Sequence, residues 1–183
     1  MALMHSTMVP LGSPAHDFKL PGVDGKEYTL ESFKDQRVLV IVFMCNHCPY
    51  VKAVLPRLVE LQSEYQDRNV QFVGINSNDA ERYPDDSFEN MKKAAREKGI
   101  PFPYLYDETQ EVARQYDAVC TPDIYVYGAD RKLQYRGRVD DNWEHPEKVT
   151  RRDLKDAIEH ILQGQPVREE QIPSMGCSIK WKQ

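Results

Sequence analysis

The sequence lacks any apolar run that approaches the ~20 residues needed to span a bilayer. It also lacks an excess of basic residues, since 24 lysines and arginines stand against 29 aspartates and glutamates, for a formal net charge of −5. This balance argues against a general nucleic-acid binder or a protein that binds anionic membranes. We therefore expect neither nucleic acid nor membrane among the partners.

Cysteine is scarce, with four residues in a chain of 183, which is too few for a disulfide scaffold at this length. The N-terminal segment lacks the basic region and the continuous apolar region of a signal peptide, so we expect a cytoplasmic protein. In a reducing compartment, two cysteines spaced C-x-x-C more often form a redox-active or metal-binding pair than a structural disulfide bond.

Alternating strand and helix patterns predict an α/β fold with a mostly parallel, mixed central sheet and helices on both sides. Val38–Met44 is almost purely apolar, as in a strand covered on both faces, and Val70–Asn78 predicts a second buried strand. Short strand-like segments before them predict an N-terminal β extension, and helical spacing begins at Pro49. We expect one domain over residues 1–183, with an irregular C-terminal tail over residues 165–183.

The C-x-x-C motif, Cys45 to Cys48, lies where the first buried strand meets the following helix. Open α/β sheets place their chemistry at such carboxyl ends of strands. The helix N-terminus favours thiolate over thiol, and His47 adds to this effect when it is protonated. We therefore predict that Cys45 is the attacking thiolate of a redox pair, that Cys48 resolves the mixed disulfide, and that His47 assists.

The segments FMCNHC and CTPDIYVY resemble the corresponding parts of the thioredoxin fold. PFPYLYDETQEVA, CTPD and GCSIKW are similar to a peroxiredoxin-like group within the redoxin family, which includes alkyl hydroperoxide reductase/thiol-specific antioxidant proteins and thioredoxin-like reductases. The N-terminal part of the redoxin pattern consists of Gly12, Pro14, Ala15, Phe18, Leu20, Asp24, Gly25 and Leu30. This resemblance spans nearly the whole chain and implies a thioredoxin-like fold and thiol chemistry without an organic cofactor.

By this resemblance, Pro122 is the cis proline that faces the C-x-x-C pair, and Thr121 presents its backbone to a bound substrate chain. Asn46, between the two cysteines, is a further candidate for substrate contact. The alternative for Pro122 is an ordinary trans proline that starts an edge strand. The strand-like residues that follow it directly favour the cis proline.

We predict a thiol-disulfide oxidoreductase that acts on protein or small-molecule disulfides, with thioredoxin or a low-molecular-weight thiol as electron donor. The second hypothesis is a peroxiredoxin-like peroxidase with Cys45 as the peroxidatic cysteine. Val42 stands where peroxiredoxins carry Thr, and no Arg lies near Thr121, so the side chains that polarise a peroxide are missing. The third hypothesis is a metal carrier that binds Cu(I) through Cys45, Cys48 and His47. A structural zinc site would need two more ligands.

Two cysteines lie outside the motif, and the residues alone leave their roles open. Cys120 directly precedes the predicted cis proline segment, so it is either an additional redox thiol or a small buried hydrophobe. Cys177 is either an exposed spare thiol or a third redox cysteine that the tail brings back to Cys120 or to the active pair. The base for Cys48 is open too, because the preceding strand has no carboxylate and only His47 is close in sequence.

Overall fold

The most apolar run of the sequence, Val38–Phe43, forms a strand in which every residue is buried. Such a strand needs neighbours on both edges and cover on both faces. The computed structural model describes residues 2–183. Its strands are β1 (Leu3–His5), β2 (Lys19–Pro21), β3 (Glu27–Thr29), β4 (Val38–Phe43), β5 (Val70–Asn76), β6 (Tyr104–Tyr106), β7 (Cys120–Thr121), β8 (Asp123–Tyr127), β9 (Leu133–Arg136) and β10 (Met175–Ser178). Its α-helices are α1 (Pro49–Tyr65), α2 (Phe88–Glu97), α3 (Glu111–Gln115) and α4 (Asp153–Leu162).

The central sheet has five strands in the order β6, β5, β4, β8, β9. The β4–β5 and β5–β6 pairs are parallel, whereas the β4–β8 and β8–β9 pairs are antiparallel. The prediction of a mixed sheet flanked by helices is therefore confirmed, with parallel and antiparallel pairs equal in number instead of mostly parallel. The expected N-terminal β extension is present as the antiparallel β2–β3 hairpin.

Apolar side chains of the sheet divide between two clusters, one on each face. Val40 and Val42 belong to one cluster, and Ile41 and Phe43 belong to the other, as the two-residue period of a strand requires. Helices α1 and α4 contribute to the first cluster. Three of the four cysteines also lie in it, namely Cys45, Cys48 and Cys177.

Helix α1 begins immediately after Cys48, with Pro49 at its first position. A proline fits there because the missing N–H would have no partner within the helix. Pro56 lies inside α1, yet the helix continues to Tyr65. The apolar residues that recur at helical spacing are buried, namely Val51, Val54, Leu55, Leu58 and Leu61. The helix is therefore held against the sheet with its N-terminus at the C-x-x-C motif. Within residues 2–183, no helix is both long and apolar enough to cross a membrane.

A second sheet joins the tail to the middle of the chain. It consists of β1, β10 and β7 in that order, and both pairings are antiparallel. The expectation of an irregular tail is therefore wrong for Met175–Ser178, although most of the tail around them is irregular. Gly176 allows this pairing, because a Cβ atom there would lie 1.9 Å from the carbonyl oxygen of Thr121. The sequence pattern did not reveal these strands because each has at most four residues.

Candidate active site

The C-x-x-C motif connects the end of β4 to the first turn of α1, as predicted. Cys48 is the N-cap residue of α1, and the backbone N–H of Val51 donates to its sulfur. The helix N-terminus therefore acts directly on Cys48. Both cysteines are free thiols and almost wholly buried, with 2% of Cys45 and none of Cys48 exposed.

The Thr121–Pro122 peptide bond is cis, which confirms the prediction for Pro122. Thr121 contacts both thiols: its Oγ1 lies 3.6 Å from Cys45 Sγ, and its carbonyl oxygen accepts from Cys48 Sγ at 3.3 Å. The resemblance implies that Thr121 presents its backbone to a bound chain. In the structure, however, Thr121 is buried and its strand pairs with Cys177 of β10.

The two motif thiols are coupled by a hydrogen bond from Cys45 to Cys48. This bond lowers the pKa of Cys48 to about 4, although burial acts in the opposite direction. The same bond raises the pKa of Cys45 well above the range of a free thiol, and burial and the charge of Asp86 raise it further. With the proton on Cys45, the hydrogen bond that Cys45 donates therefore places the charge on Cys48, and the helix N-terminus also acts on this N-cap residue. The role of Cys45 as the attacking thiolate stays a prediction.

Hydrogen bonds to Thr121 offer the shared proton a second position. A carbonyl oxygen can only accept, so the 3.3 Å contact between Cys48 Sγ and Thr121 needs the proton on Cys48. The Thr121 hydroxyl can then donate to Cys45 Sγ, and this bond acts to lower the pKa of Cys45. One proton can therefore pass between the two sulfurs, and either sulfur can carry the charge.

His47 is held by a carboxylate from a distant loop. Its Nδ1 is hydrogen-bonded to Asp86 Oδ2, and its ring stacks on Tyr83 with the centroids 5.8 Å apart. Asp86 is fully buried and also accepts from the Asn46 backbone N–H at 2.7 Å and from Asn78 Nδ2 at 2.8 Å. Asp86 was not predicted from the sequence, because no spacing rule connects it with His47.

The Asn46 side chain is fully engaged within the protein. Its Nδ2 donates to the carbonyl oxygen of Asp85 at 2.9 Å, and its Oδ1 accepts from the Tyr104 hydroxyl at 2.8 Å. Together with the backbone bond to Asp86, these contacts fix the conformation of the loop between the two cysteines. Its role in substrate contact stays a prediction.

Three groups at this site offer ligands of the kind that a metal ion uses. Cys45 Sγ, a ring nitrogen of His47 and a carboxylate oxygen of Asp86 all lie within 4.8 Å of one another. Thiolate and imidazole suit zinc or copper. Cys48 is not in this group, and its sulfur contacts the Thr121 carbonyl instead. A metal ion would have to replace the hydrogen bond between His47 and Asp86.

Cys177 is brought to the active pair by β10. It stands opposite Thr121 in the antiparallel β7–β10 register, and it is hydrogen-bonded to Cys48. Burial, this hydrogen bond and the charge of Cys48 raise the pKa of Cys177 to about 12. Of the two alternatives for Cys177, an exposed spare thiol is excluded, because the residue is 3% exposed.

Cys120 belongs to different surroundings. It alternates with Thr121 along β7, and its thiol contacts the Pro122 carbonyl oxygen at 3.7 Å and the Asp123 side chain. Burial raises the pKa of the Cys120 thiol far above the free range. Asp123 is fully buried, its Oδ1 has no hydrogen-bond partner among residues 2–183, and burial raises its pKa to about 7. A buried, unreactive thiol therefore fits Cys120 better than a redox role.

A cavity of about 390 Å³ opens beside the cis proline. The rings of Tyr50 and Trp143 form part of its wall, with their centroids 4.4 Å apart. Arg57 holds the Trp143 loop in place by donating to the Trp143 carbonyl at 2.7 Å and to Asp140 Oδ2 at 2.6 Å. Pro122 also lines the cavity, so an apolar group bound there would lie next to the segment that contacts both thiols.

Comparison with known proteins agrees with these features. The sequence model of the AhpC/TSA family matches residues 11–136. "Thiol-disulfide oxidoreductase ResA" of Geobacillus thermodenitrificans is 25% identical over 128 residues, which cover 70% of this chain and 69% of that protein.

Solved structures with the same fold include close and distant relatives. A conserved protein of Geobacillus kaustophilus is 53% identical, with a TM-score of 0.94 over 100% of this chain and 97% of that chain. A structure described as thiol:disulfide interchange protein DsbE of Chlorobium tepidum is 20% identical, with a TM-score of 0.69 over 84% of this chain and 99% of that chain. The distant match bears on the fold alone, and the predicted thioredoxin-like fold is confirmed.

Proposed function

The chain belongs to the AhpC/TSA family, and from that membership we propose that it is a thiol-disulfide oxidoreductase with Cys45 and Cys48 as its redox pair. The name of the ResA relative describes the same activity. The observation that carries the proposal is the placement of two free thiols at the N-terminus of α1, where both contact the residue before the cis proline. The hydrogen bond from Cys45 lowers the pKa of Cys48, and a thiolate is the nucleophile in disulfide exchange.

In this proposal Cys45 makes the first attack, because it retains a little exposed surface and Cys48 has none. The shared proton moves to Cys48, whose thiol then donates a hydrogen bond to the Thr121 carbonyl oxygen. The Cys45 thiolate then attacks one sulfur of the substrate disulfide. A bond forms between Cys45 and that sulfur, the substrate S–S bond breaks, and the second substrate sulfur leaves as a thiolate.

His47 is the proposed proton donor to the leaving sulfur, since its ring nitrogen lies within 4.8 Å of Cys45 Sγ. Asp86 orients the ring through its hydrogen bond to Nδ1. Cys48 next gives up its proton and attacks the Cys45 sulfur. The mixed disulfide breaks, the first substrate sulfur leaves as a thiol, and a Cys45–Cys48 disulfide forms. Two electrons have then passed from the pair to the substrate, and thioredoxin or a small thiol restores the pair.

A disulfide-reduction assay with insulin and dithiothreitol tests this proposal. We expect the wild-type protein to accelerate the reduction of insulin and Cys45→Ser to abolish the acceleration. Cys120→Ser is the matched control, because it removes a thiol that is equally buried but faces Asp123. A wild-type rate no higher than the dithiothreitol blank, or an unchanged rate in Cys45→Ser, would overturn the proposal.

A thiol peroxidase is the second candidate, because the family includes peroxidases by its name. Against it, the position three residues before Cys45 is Val42, a fully buried apolar residue that cannot polarise a peroxide. Peroxide consumption coupled to a thiol donor separates the two candidates. The oxidoreductase proposal expects consumption no faster than that of free cysteine.

A metal carrier is the candidate from another class, and the cluster of Cys45, His47 and Asp86 supports it. Two of these three ligands are already bonded to each other, and Asp86 has two further donors. Metal analysis of protein purified under reducing conditions tests this candidate. Stoichiometric zinc or copper that is lost in Asp86→Asn would favour it over the redox proposal.

A further inference from the structure

Cys177 has no part in the mechanism above, yet it contacts the redox pair. It lies opposite Thr121 in the β7–β10 register. Directly opposite residues of an antiparallel pair project their side chains to the same face. The Thr121 side chain is directed at Cys45, 3.6 Å away, so Cys177 faces the same sulfurs, and it is hydrogen-bonded to Cys48.

The alternation of side chains along β7 separates Cys177 from the fourth cysteine. Ser178, the next residue of β10, pairs with Cys120, so that pair projects to the other face. Cys120 is accordingly in contact with Asp123. Among the cysteines outside the motif, Cys177 alone is hydrogen-bonded to a motif sulfur within residues 2–183.

The position of Cys177 is held from several directions. Gly176 lets the β10 backbone approach Thr121 so closely that a Cβ atom would not fit. Strand β1 pairs with the other edge of β10, and the backbone N–H of Lys180 donates to Asn78 Oδ1 at 2.9 Å. The thiol is 3% exposed, and the sulfur that it contacts is Cys48 of the same chain.

We propose that Cys177 is a third redox thiol of this site, which exchanges with the Cys45–Cys48 disulfide to form a Cys48–Cys177 disulfide. The inference rests on the proposed function, which supplies the first disulfide. Cys177 ionises and its thiolate attacks Cys48 Sγ. The Cys48–Cys177 bond forms, the Cys45–Cys48 bond breaks, and Cys45 leaves as a thiolate that takes up the proton released by Cys177. No electrons enter or leave the chain in this step.

Oxidation of the pair itself removes two of the causes that raise the pKa of Cys177. In the reduced protein, burial raises this pKa most, and the hydrogen bond with Cys48 and the charge of Cys48 raise it further. A disulfide at Cys48 carries no charge and is a weak acceptor, so both causes disappear when the first disulfide forms. Lys180 lowers the pKa of Cys177 in either state. Cys177 is therefore easier to ionise once the first disulfide has formed.

The exchange returns Cys45 to its thiol form while the chain remains oxidised. The disulfide then lies between Cys48, which has no exposed surface, and Cys177, which is 3% exposed. The proposed third thiol thus gives the site two oxidised forms, and in one of them Cys45 is again a free thiol.

Disulfide mapping in Cys45→Ser tests the inference directly. This variant is treated with hydrogen peroxide, because Cys48 has no exposed surface and a small oxidant is needed, and is then quenched with acid, alkylated, digested and analysed by mass spectrometry. Peroxide oxidises Cys48 to a sulfenic acid, and Cys177 then attacks that sulfur, so that the disulfide forms and water leaves. We expect a Cys48–Cys177 disulfide in most chains. It should be lost in Cys45→Ser/Cys177→Ser and retained in the matched control Cys45→Ser/Cys120→Ser.

A Cys48–Cys120 disulfide, or a Cys48 that stays a thiol or stops at the sulfenic acid, would overturn the inference.

The wild-type protein gives a second test that does not depend on a variant. During oxidation its Cys45–Cys48 disulfide should appear first and the Cys48–Cys177 disulfide second, whereas Cys45–Cys48 alone at all times would count against the exchange. If wild-type protein reduces insulin and neither preparation forms Cys48–Cys177, the inference fails alone. If insulin is not reduced either, the proposed function fails with it.

Discussion

Two buried polar clusters lie on either side of the cis peptide bond, and they differ in how their groups are satisfied. The first, which we call the thiol cluster, consists of Cys45, Cys48, Thr121 and Cys177. The second, which we call the carboxyl cluster, consists of Cys120, Asp123 and Tyr125. Each cluster contains an acidic group that the fold removes from water, so the comparison separates the effect of burial from that of hydrogen bonding.

In the carboxyl cluster, burial dominates. It raises the pKa of Asp123 to about 7 and that of Cys120 far above the free range, and one oxygen of Asp123 lacks a partner among residues 2–183. In the thiol cluster, donors outweigh burial at Cys48, where the pKa is lowered to about 4. Burial alone therefore makes a thiol inert, whereas burial with donors aimed at the sulfur makes a stable thiolate.

Removing one thiol from each cluster should give the largest contrast. Cys48→Ser deletes the intramolecular resolving sulfur, so we expect single-turnover release of reduced substrate to slow by at least ~10³-fold, because an external thiol replaces a group held in place. Ultraviolet absorbance should also lose the thiolate signal that persists in the wild type down to about pH 4. Cys120→Ser should change the rate by less than roughly two-fold. Equal losses in the two variants would abolish the distinction between the clusters.

Asp123 should make the carboxyl cluster visible in the pH dependence of stability. Its pKa is about 7 in the folded protein, against 3.8 ordinarily, so the folded state holds the proton more tightly than the unfolded state. The stability from this group is fully present below about pH 4 and is lost as the pH rises through 7. The gap corresponds to at most ~4 kcal/mol. Urea unfolding between pH 4 and pH 8 should show this decline in the difference between the wild type and Asp123→Asn, because the lowered pKa of Cys48 contributes an opposite slope that both proteins share. Parallel profiles would refute it.

Thr121→Val tests the donor on the thiol side. The substitution keeps the branched shape but removes the hydroxyl that lies 3.6 Å from Cys45 Sγ. A long hydrogen bond to a charged sulfur contributes about 1 kcal/mol, so alkylation of Cys45 by iodoacetamide should slow by about 5-fold. Thr121→Ser retains the hydroxyl and should react at nearly the wild-type rate. If alkylation of Cys45 slows equally in Thr121→Val and Thr121→Ser, the effect comes from packing and not from the hydroxyl.

The smallest effect is expected from Tyr125→Phe in the carboxyl cluster. The Tyr125 hydroxyl donates to Asp123 Oδ2 over 3.3 Å, and this bond lowers the pKa of the carboxyl. Its removal should move the midpoint of the stability decline upward by roughly a few tenths of a pH unit. The same urea series measures it, with Asp123→Asn/Tyr125→Phe as the variant in which no midpoint should remain. A downward movement would mean that the hydroxyl favours the protonated form of Asp123.

Local sequence features were sufficient for the elements that lie around the motif. The apolar run Val38–Phe43, the helix that follows Cys48 and the strand after Pro122 each have a pattern within a few residues. These patterns predicted the strand–helix junction of the C-x-x-C pair, whereas the cis bond at Thr121–Pro122 was implied by the resemblance to the redoxin family. Alternating strands and helices from β4 to α4 followed from the same kind of signal.

The rest of the site depends on contacts between segments that are distant in sequence. Asp86 contacts His47 because the segment after β5 packs against the C-x-x-C motif. No periodic pattern in the sequence indicates this contact. Strand β10 is too short for a two-residue alternation to stand out, and it exists because β1 and β7 pair with it. The pKa values of Cys45 and Cys48 depend on which sulfur donates the hydrogen bond to the other. Side-chain rotamers and the distances between atoms determine this, and the sequence does not give them.

The antiparallel pairing of Cys177 with Thr121 has a consequence for the order in which the site is assembled. Translation delivers Cys45, Cys48 and Pro122 long before it delivers β10. A chain still on the ribosome therefore has both motif sulfurs and the proline that contacts them, but it has nothing to pair with β7. Cys177 reaches Cys45 and Cys48 only when β10 pairs with β7. The nascent chain and the folded protein therefore present different sets of thiols to an oxidant.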